Sequence, residues 1–222
     1  MEIRAGYHRR LREIQDEILV MGSMVDKALS SSVEALKARD IDSAKRIIAD
    51  DEKVNRKRFD IEERCIQLIA TQQPMAGDLR VIIAVLNIIV ELERIGDYAE
   101  GIARIVVMIG DEPPLKPLID IPRMAAKATT MLQRSLEAFI NRDAETARQV
   151  AAQDDEIDSL YDQVFRELLT FMIEDPRTIT RATRLIWVAH NLERSADRVT
   201  NICERVEFAV TGRMQETKQR SG

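Results

Sequence analysis

Two long apolar stripes with identical spacing occupy corresponding places in the two halves of the chain. Val85, Ile89, Leu92, Gly96, Ala99, Ala103 and Val106 alternate steps of four and three residues, and Leu185, Ala189, Leu192, Ala196, Val199, Cys203 and Val206 repeat them in register. This alternation keeps one helical face apolar and predicts long helices packed against antiparallel neighbours in a bundle. A second pair of stripes precedes these: Ile47, Asp51, Val54, Arg58, Ile61, Cys65 and Leu68, then Val150, Asp154, Ile157, Tyr161, Val164, Leu168 and Phe171.

The breaks between stripes repeat as well. Asp40 after Arg39 and Asp143 after Arg142 read as helix N-caps. Gln73-Pro74-Met75-Ala76-Gly77 and Glu174-Asp175-Pro176-Arg177 read as equivalent turns. Between the halves, Gly110-Asp111-Glu112-Pro113-Pro114-Leu115-Lys116-Pro117, followed by Pro122, is a stretch that a helix interior does not tolerate. The reading is all-α, with two tandem pseudo-symmetric three-helix bundles. The first covers residues 1–110, a Pro-rich linker 111–122, the second bundle 123–210, and a polar tail 211–222 is expected to be disordered. Each half runs helix, cap, long helix, Pro turn, long helix.

Composition sharpens this picture. The 222 residues contain 8 Gly, 6 Pro and only 4% aromatics, a helical profile. The net charge of -5 argues against a nucleic-acid surface, which needs clustered positive charge. Cys65 and Cys203 show no CxxC spacing and read as core residues in a reducing compartment. The N-terminus lacks the apolar run of a signal peptide. The most apolar stretch, Val81 to Val90, is too short to span a bilayer. A cytoplasmic protein without direct membrane insertion is expected.

Candidate chemistry sits beside the stripes. Glu91-Leu92-Glu93-Arg94-Ile95-Gly96-Asp97 returns as Asn191-Leu192-Glu193-Arg194-Ser195-Ala196-Asp197. Each copy sets a Glu and an Asp one turn apart on a single ridge, where they repel by roughly a few tenths of a kcal/mol. The facing stripes carry acids at matched core-side positions, Asp51 and Asp154, which are costly there unless paired or metal-bound. Equal rise along both arms of a helical hairpin brings the groups to one height. One set is then Asp51, Asn55, Glu93 and Asp97, and the other Asp154, Asp158, Glu193 and Asp197. All-oxygen sets suit hard cations such as Mg²⁺, Ca²⁺, Mn²⁺ or iron. The second set has four carboxylates and the first three, with Asn55 in place of Asp158, so the second is expected to bind more tightly.

Alternatives stay open. Arg94 and Arg194 are in place to neutralise the acids without metal. No Glu-x-x-His occurs, so the ferritin-like ligand set is absent. His190 is a weaker ligand candidate because its counterpart is Val90, and Met21, Met24, Met124 and Met131 read as core filler. No catalytic triad or phosphate-binding loop appears, which makes an enzyme the less favoured class.

The residues quoted above resemble the PhoU family. The likeness runs from about Ile14 to about Glu207. It includes Gln73-Pro-Met-Ala-Gly-Asp-Leu-Arg80, Asp51-Glu-Lys-Val-Asn55, Asp154-Asp-Glu-Ile-Asp158, and both Leu-Glu-Arg-x-x-Asp segments with the extension to Cys203. The resemblance implies paired three-helix bundles, often dimeric, with metal clusters held by the acidic sets. Iron is the first expectation, with magnesium, manganese or zinc as other fits. It also implies a regulator that links the phosphate ABC transporter to a membrane sensor histidine kinase and keeps the phosphate-starvation response off. The rival readings are a metal-dependent enzyme using the same acids and a metal-free structural adaptor. Two departures stand out: Ser195-Ala196 replaces the usual Ile-Gly, and Gly101 stands where the second copy has Asn201. The second departure leaves the first acidic set without an oxygen that Asn201 is expected to lend the second.

Overall fold

A computed structural model of the chain describes residues 2–213. The tail expected to be disordered falls, from residue 214 onward, outside the described residues. The first half consists of α1 (Glu2–Ala38), α2 (Ile41–Gln72) and α3 (Ala76–Ile109). The second consists of α4 (Asp120–Asn141), α5 (Ala144–Ala151), α6 (Asp154–Glu174) and α7 (Ile179–Thr211), with a single 3₁₀ turn over Pro176–Thr178 before α7. No strand occurs among the described residues.

The repeat is written into the backbone as well as the sequence. α1 and α4 end in the same Schellman geometry: Asp40 N donates to Ala35 O and Asp143 N to Ala138 O, both at 2.9 Å. The left-handed position that usually selects Gly is held by Arg39 (φ 56°) in one half and Arg142 (φ 54°) in the other. The next residue in each half caps the following helix. Asp40 accepts from Ser43 N at 2.9 Å, and Asp143 from Glu145 N and Thr146 N at 3.0 Å. Ser32 and Ser135, fully buried at equivalent places, each donate back to the carbonyl three residues earlier.

Two features depart from the expected layout. The long second helix of the second half is divided at Ala152–Gln153 into α5 and α6. Asp154, Asp155 and Glu156 follow the break and fill the first turn of α6. Three carboxylates there are stabilised by the positive end of a helix dipole, which favours starting a new helix. The first half has Lys53 as the third residue of the matching run and stays continuous. Second, α4 starts at Asp120, inside the stretch read as linker, because Pro122 sits in the first turn where its missing N–H costs nothing.

Four helices join the halves. α3 and α7 cross antiparallel: Asn201 Nδ2 donates to Glu91 Oε2 at 3.1 Å on one side, and Gly101 lies against Asn191 on the other. Gly96 and Ala196 occupy the middle of this crossing, and Leu92 and Leu192 beside them have no exposed surface. Each buried leucine contributes about 1.5–3 kcal/mol. α1 crosses α4 at Gly22, facing Leu136. One continuous core runs from Tyr7 to Val206 through both halves. Met21, Met124 and Met131 lie in it, and Met24 packs at its edge. Cys65 and Cys203 are buried free thiols, pushed up to about 12 by burial and therefore inert as nucleophiles. Among the described residues, no helix is long and apolar enough to cross a membrane.

Candidate functional site

The acidic residues singled out in the sequence flank the two inner hairpins, α2/α3 and α6/α7. In the first set, Asn55 Nδ2 donates to Asp51 Oδ2 at 2.9 Å along α2. Across on α3, Glu93 accepts from Arg58 Nη1 at 3.4 Å and has Arg94 Nε at 3.8 Å. Arg94 Nη1 lies 3.9 Å from Asp97. Burial, then the charges of Glu93 and Asp51, push Asp97 up to about 6. Asp51 is raised by burial first and next by Glu100.

Glu100 was missed by the sequence reading. It follows Asp97 by three residues on the same ridge, and the step from 93 to 97 to 100 signals it. Its own partner is Arg104. Close packing lets this set form: a Cβ on Gly96 would lie 3.3 Å from Asp51 Oδ1. The set borders a groove of 240 Å³ between α1, α2 and α3, floored by Met24, Ile47 and Val54.

The second set is more deeply placed. Asp154 has no exposed surface, although it is the first residue of its helix. Glu193 is pushed up to about 7 by burial first and next by Asp197, with Asp158 and Asp154 adding to the push and Arg194 opposing it. The other three acids of the set therefore all act on Glu193. Arg194 Nη1 donates to Asp197 Oδ2 at 2.7 Å and is also held by the Tyr98 hydroxyl of the first half. Glu193 Oε2 is buried and accepts no hydrogen bond; His190 Nδ1 lies 3.5 Å away, within ion-pair reach but without bonding geometry.

Tyr161 occupies the place that Arg58 holds in the first half, so Glu193 lacks the cross-helix cation that Glu93 has. Asn201 has a partner outside this set. Its amide reaches Glu91 across the α3–α7 crossing, a role that only the antiparallel register reveals.

These groups fit a hard cation in kind: clustered carboxylates, one of them pushed up to about 7 by burial and then by its neighbours' charges, with a buried oxygen left unbonded. Among the described residues, no three Asp, Glu, His or Cys side chains are grouped as a finished metal centre. A cation would have to draw them together. The second set fits better, since Arg58 already serves Glu93 in the first.

Comparison with known proteins places the whole architecture. The profile of the PhoU domain matches residues 18–106 and again 121–206. A phosphate-specific transport system accessory protein PhoU homolog of Aquifex aeolicus is 40% identical over 186 residues, 84% of each chain. The accessory protein PhoU of Escherichia coli is 34% identical over 210 residues, covering 95% of this chain and 87% of that one. The crystal structure of PhoU from Pseudomonas aeruginosa superposes with a TM-score of 0.88 at 34% identity, over 93% of this chain and 100% of the other. The phosphate transport system regulatory protein PhoU from Streptococcus pneumoniae gives 0.88 at 30% identity, over 94% and 99%. With both halves matched and the fold shared along nearly its full length, the chain belongs to the PhoU family.

Proposed function

We propose that this chain is an accessory protein of a phosphate-specific transport system. In this reading it is cytoplasmic, acts by binding and not by turnover, and works as a homodimer. It couples the phosphate ABC transporter to a sensor histidine kinase and holds the phosphate-starvation response off when phosphate is plentiful. The observation that carries the reading is the match of both halves to the PhoU domain, together with relatives named for that transport system over most of their length.

Metal binding is part of the proposal. Asp154, Asp158, Glu193 and Asp197 would hold one ion or cluster, and Asp51, Asn55, Glu93 and Asp97 a weaker one. The family likeness favours iron. The bound charge would neutralise carboxylates crowded between α6 and α7 and fix those helices against each other.

A second reading has support of its own. The 2.7 Å contact of Arg194 with Asp197, and the placing of Arg94 beside Glu93 and Asp97, favour an adaptor whose acids are neutralised by arginine alone. Deleting the gene in its host and measuring phosphatase expression in phosphate-rich medium tests the regulatory role. Derepression is expected, and expression that stays off would count against the reading.

A further inference from the structure

The two copies of Leu-Glu-Arg hold their arginine differently. In the second half, Arg194 Nη1 donates to Asp197 Oδ2 at 2.7 Å, and the side chain is only 33% exposed. The same guanidinium is hydrogen-bonded to the hydroxyl of Tyr98, which belongs to α3 of the first half. In the first half, Arg94 stands 3.8 Å from Glu93 and 3.9 Å from Asp97, with 59% of its side chain exposed.

One exchange in the repeat accounts for the contrast. The residue at the place of Tyr98 in the second copy is Arg198. A guanidinium carries donors only, so Arg198 offers Arg94 no acceptor and a like charge. Arg198 lies instead 3.5 Å from Glu91. The first half therefore leaves its arginine loose, while the second anchors its arginine from the other half of the molecule.

That anchor sits on the better-equipped acidic set. A carboxylate engaged by a guanidinium at 2.7 Å has one oxygen committed to a charge-assisted bond. A cation entering among Asp154, Asp158, Glu193 and Asp197 meets that bond and the positive charge behind it. Arg94, long and exposed, swings into solvent at little cost, as surface ion pairs do. Arg194 cannot leave Asp197 without disturbing Tyr98.

We infer that Arg194 is a resident counter-ion of the second acidic set, that an entering cation displaces it from Asp197, and that Tyr98 carries the displacement across to α3. Occupancy of a site in one half is thereby linked to the α3–α7 seam between the halves, and the linkage is reciprocal. Asn201, which donates to Glu91 at 3.1 Å, ties the same crossing independently and keeps it closed when Arg194 moves. The inference rests on the metal-binding reading.

The test titrates chelator-stripped protein with Mn²⁺ by calorimetry, with Glu193→Gln reporting the first set alone. Arg194→Gln is expected to tighten Mn²⁺ binding at the second set by about tenfold. Tyr98→Phe keeps every charge, frees the arginine, and should tighten binding by about threefold. Arg94→Gln should change affinity by less than about twofold. Mn²⁺ should also perturb tyrosine absorbance in the parent protein, and Tyr98→Phe should remove a component of that signal although Tyr7 and Tyr161 remain. Circular dichroism confirms that each variant is folded.

Unchanged or weaker Mn²⁺ binding by folded Arg194→Gln would overturn the inference and leave the metal-binding reading standing. So would a tyrosine signal undiminished in Tyr98→Phe. No Mn²⁺ bound by either the parent or Arg194→Gln would overturn the metal-binding reading and this inference with it.

Discussion

Gly22→Ala is expected to destabilise the protein by about 1–2 kcal/mol, even though alanine favours the interior of a helix by roughly 1 kcal/mol over glycine. The added Cβ would stand 2.2 Å from Leu136 Cδ1, far inside the roughly 3.5–4.0 Å of an ordinary carbon contact. Leu136 is itself buried in the seam between α1 and α4 and has little room to rotate.

The repeat suggests the remedy. The counterparts of Gly22 and Leu136 are Ala125 and Val33, both buried, and pseudo-symmetry sets them against each other. One crossing contact pairs the smallest residue with a leucine, and the other pairs alanine with valine. Volume is conserved across the seam. Gly22→Ala combined with Leu136→Val should therefore recover most of the loss. A double-mutant cycle in urea is expected to show a coupling of about 1 kcal/mol or more. Strictly additive effects, or a Gly22→Ala protein as stable as the parent, would refute this account.

Much of the fold was legible because helical periodicity survives in both copies of the repeat. The four stripes, the Asp40 and Asp143 caps and the proline turns are local signals, each fixed by a few residues. The break before Asp154 was not legible in the same way, because the stripe runs through it in register from Val150 to Ile157. Only the run of three acids hinted at a new N-terminus.

The acidic sets were legible as far as one hairpin reaches. Asp51, Glu93 and Asp97 affect one another electrostatically in the structure, and Asp154, Asp158 and Asp197 all act on Glu193. What spans the halves was hidden. Asn201 bonding Glu91, and Tyr98 holding Arg194, depend on how α3 crosses α7, and no spacing along one helix encodes that angle. Arg58 was hidden in a different way: placed in the stripe with Tyr161 as its match, it gave no sign that the difference would decide which glutamate gains a cation.

That difference leads to opposite pH responses with and without metal. In the unfolded chain Glu193 titrates near 4.5; in the folded protein it is held up to about 7. Between those values the folded state binds more protons than the unfolded one, so the stability of chelator-treated protein falls as pH rises through this window. Asp97, held up to about 6 from 3.8, adds to the fall over the lower part of the window. Glu193→Gln should remove the upper part and leave the lower.

A bound cation reverses the slope, because carboxylates must lose their protons to ligate. Metal-loaded protein is then expected to gain stability over the same pH range. It should lose about 4 kcal/mol at neutral pH on chelation if free metal stands roughly a thousandfold above its dissociation constant. Elemental analysis should find the second set depleted in Glu193→Gln and weakened in Asp158→Asn, which copies Asn55 of the first set. Unchanged metal content in Asp158→Asn would end the claim that the second set is the stronger. Identical melts with and without chelator, at every pH, would instead favour the adaptor whose acids answer to Arg94 and Arg194.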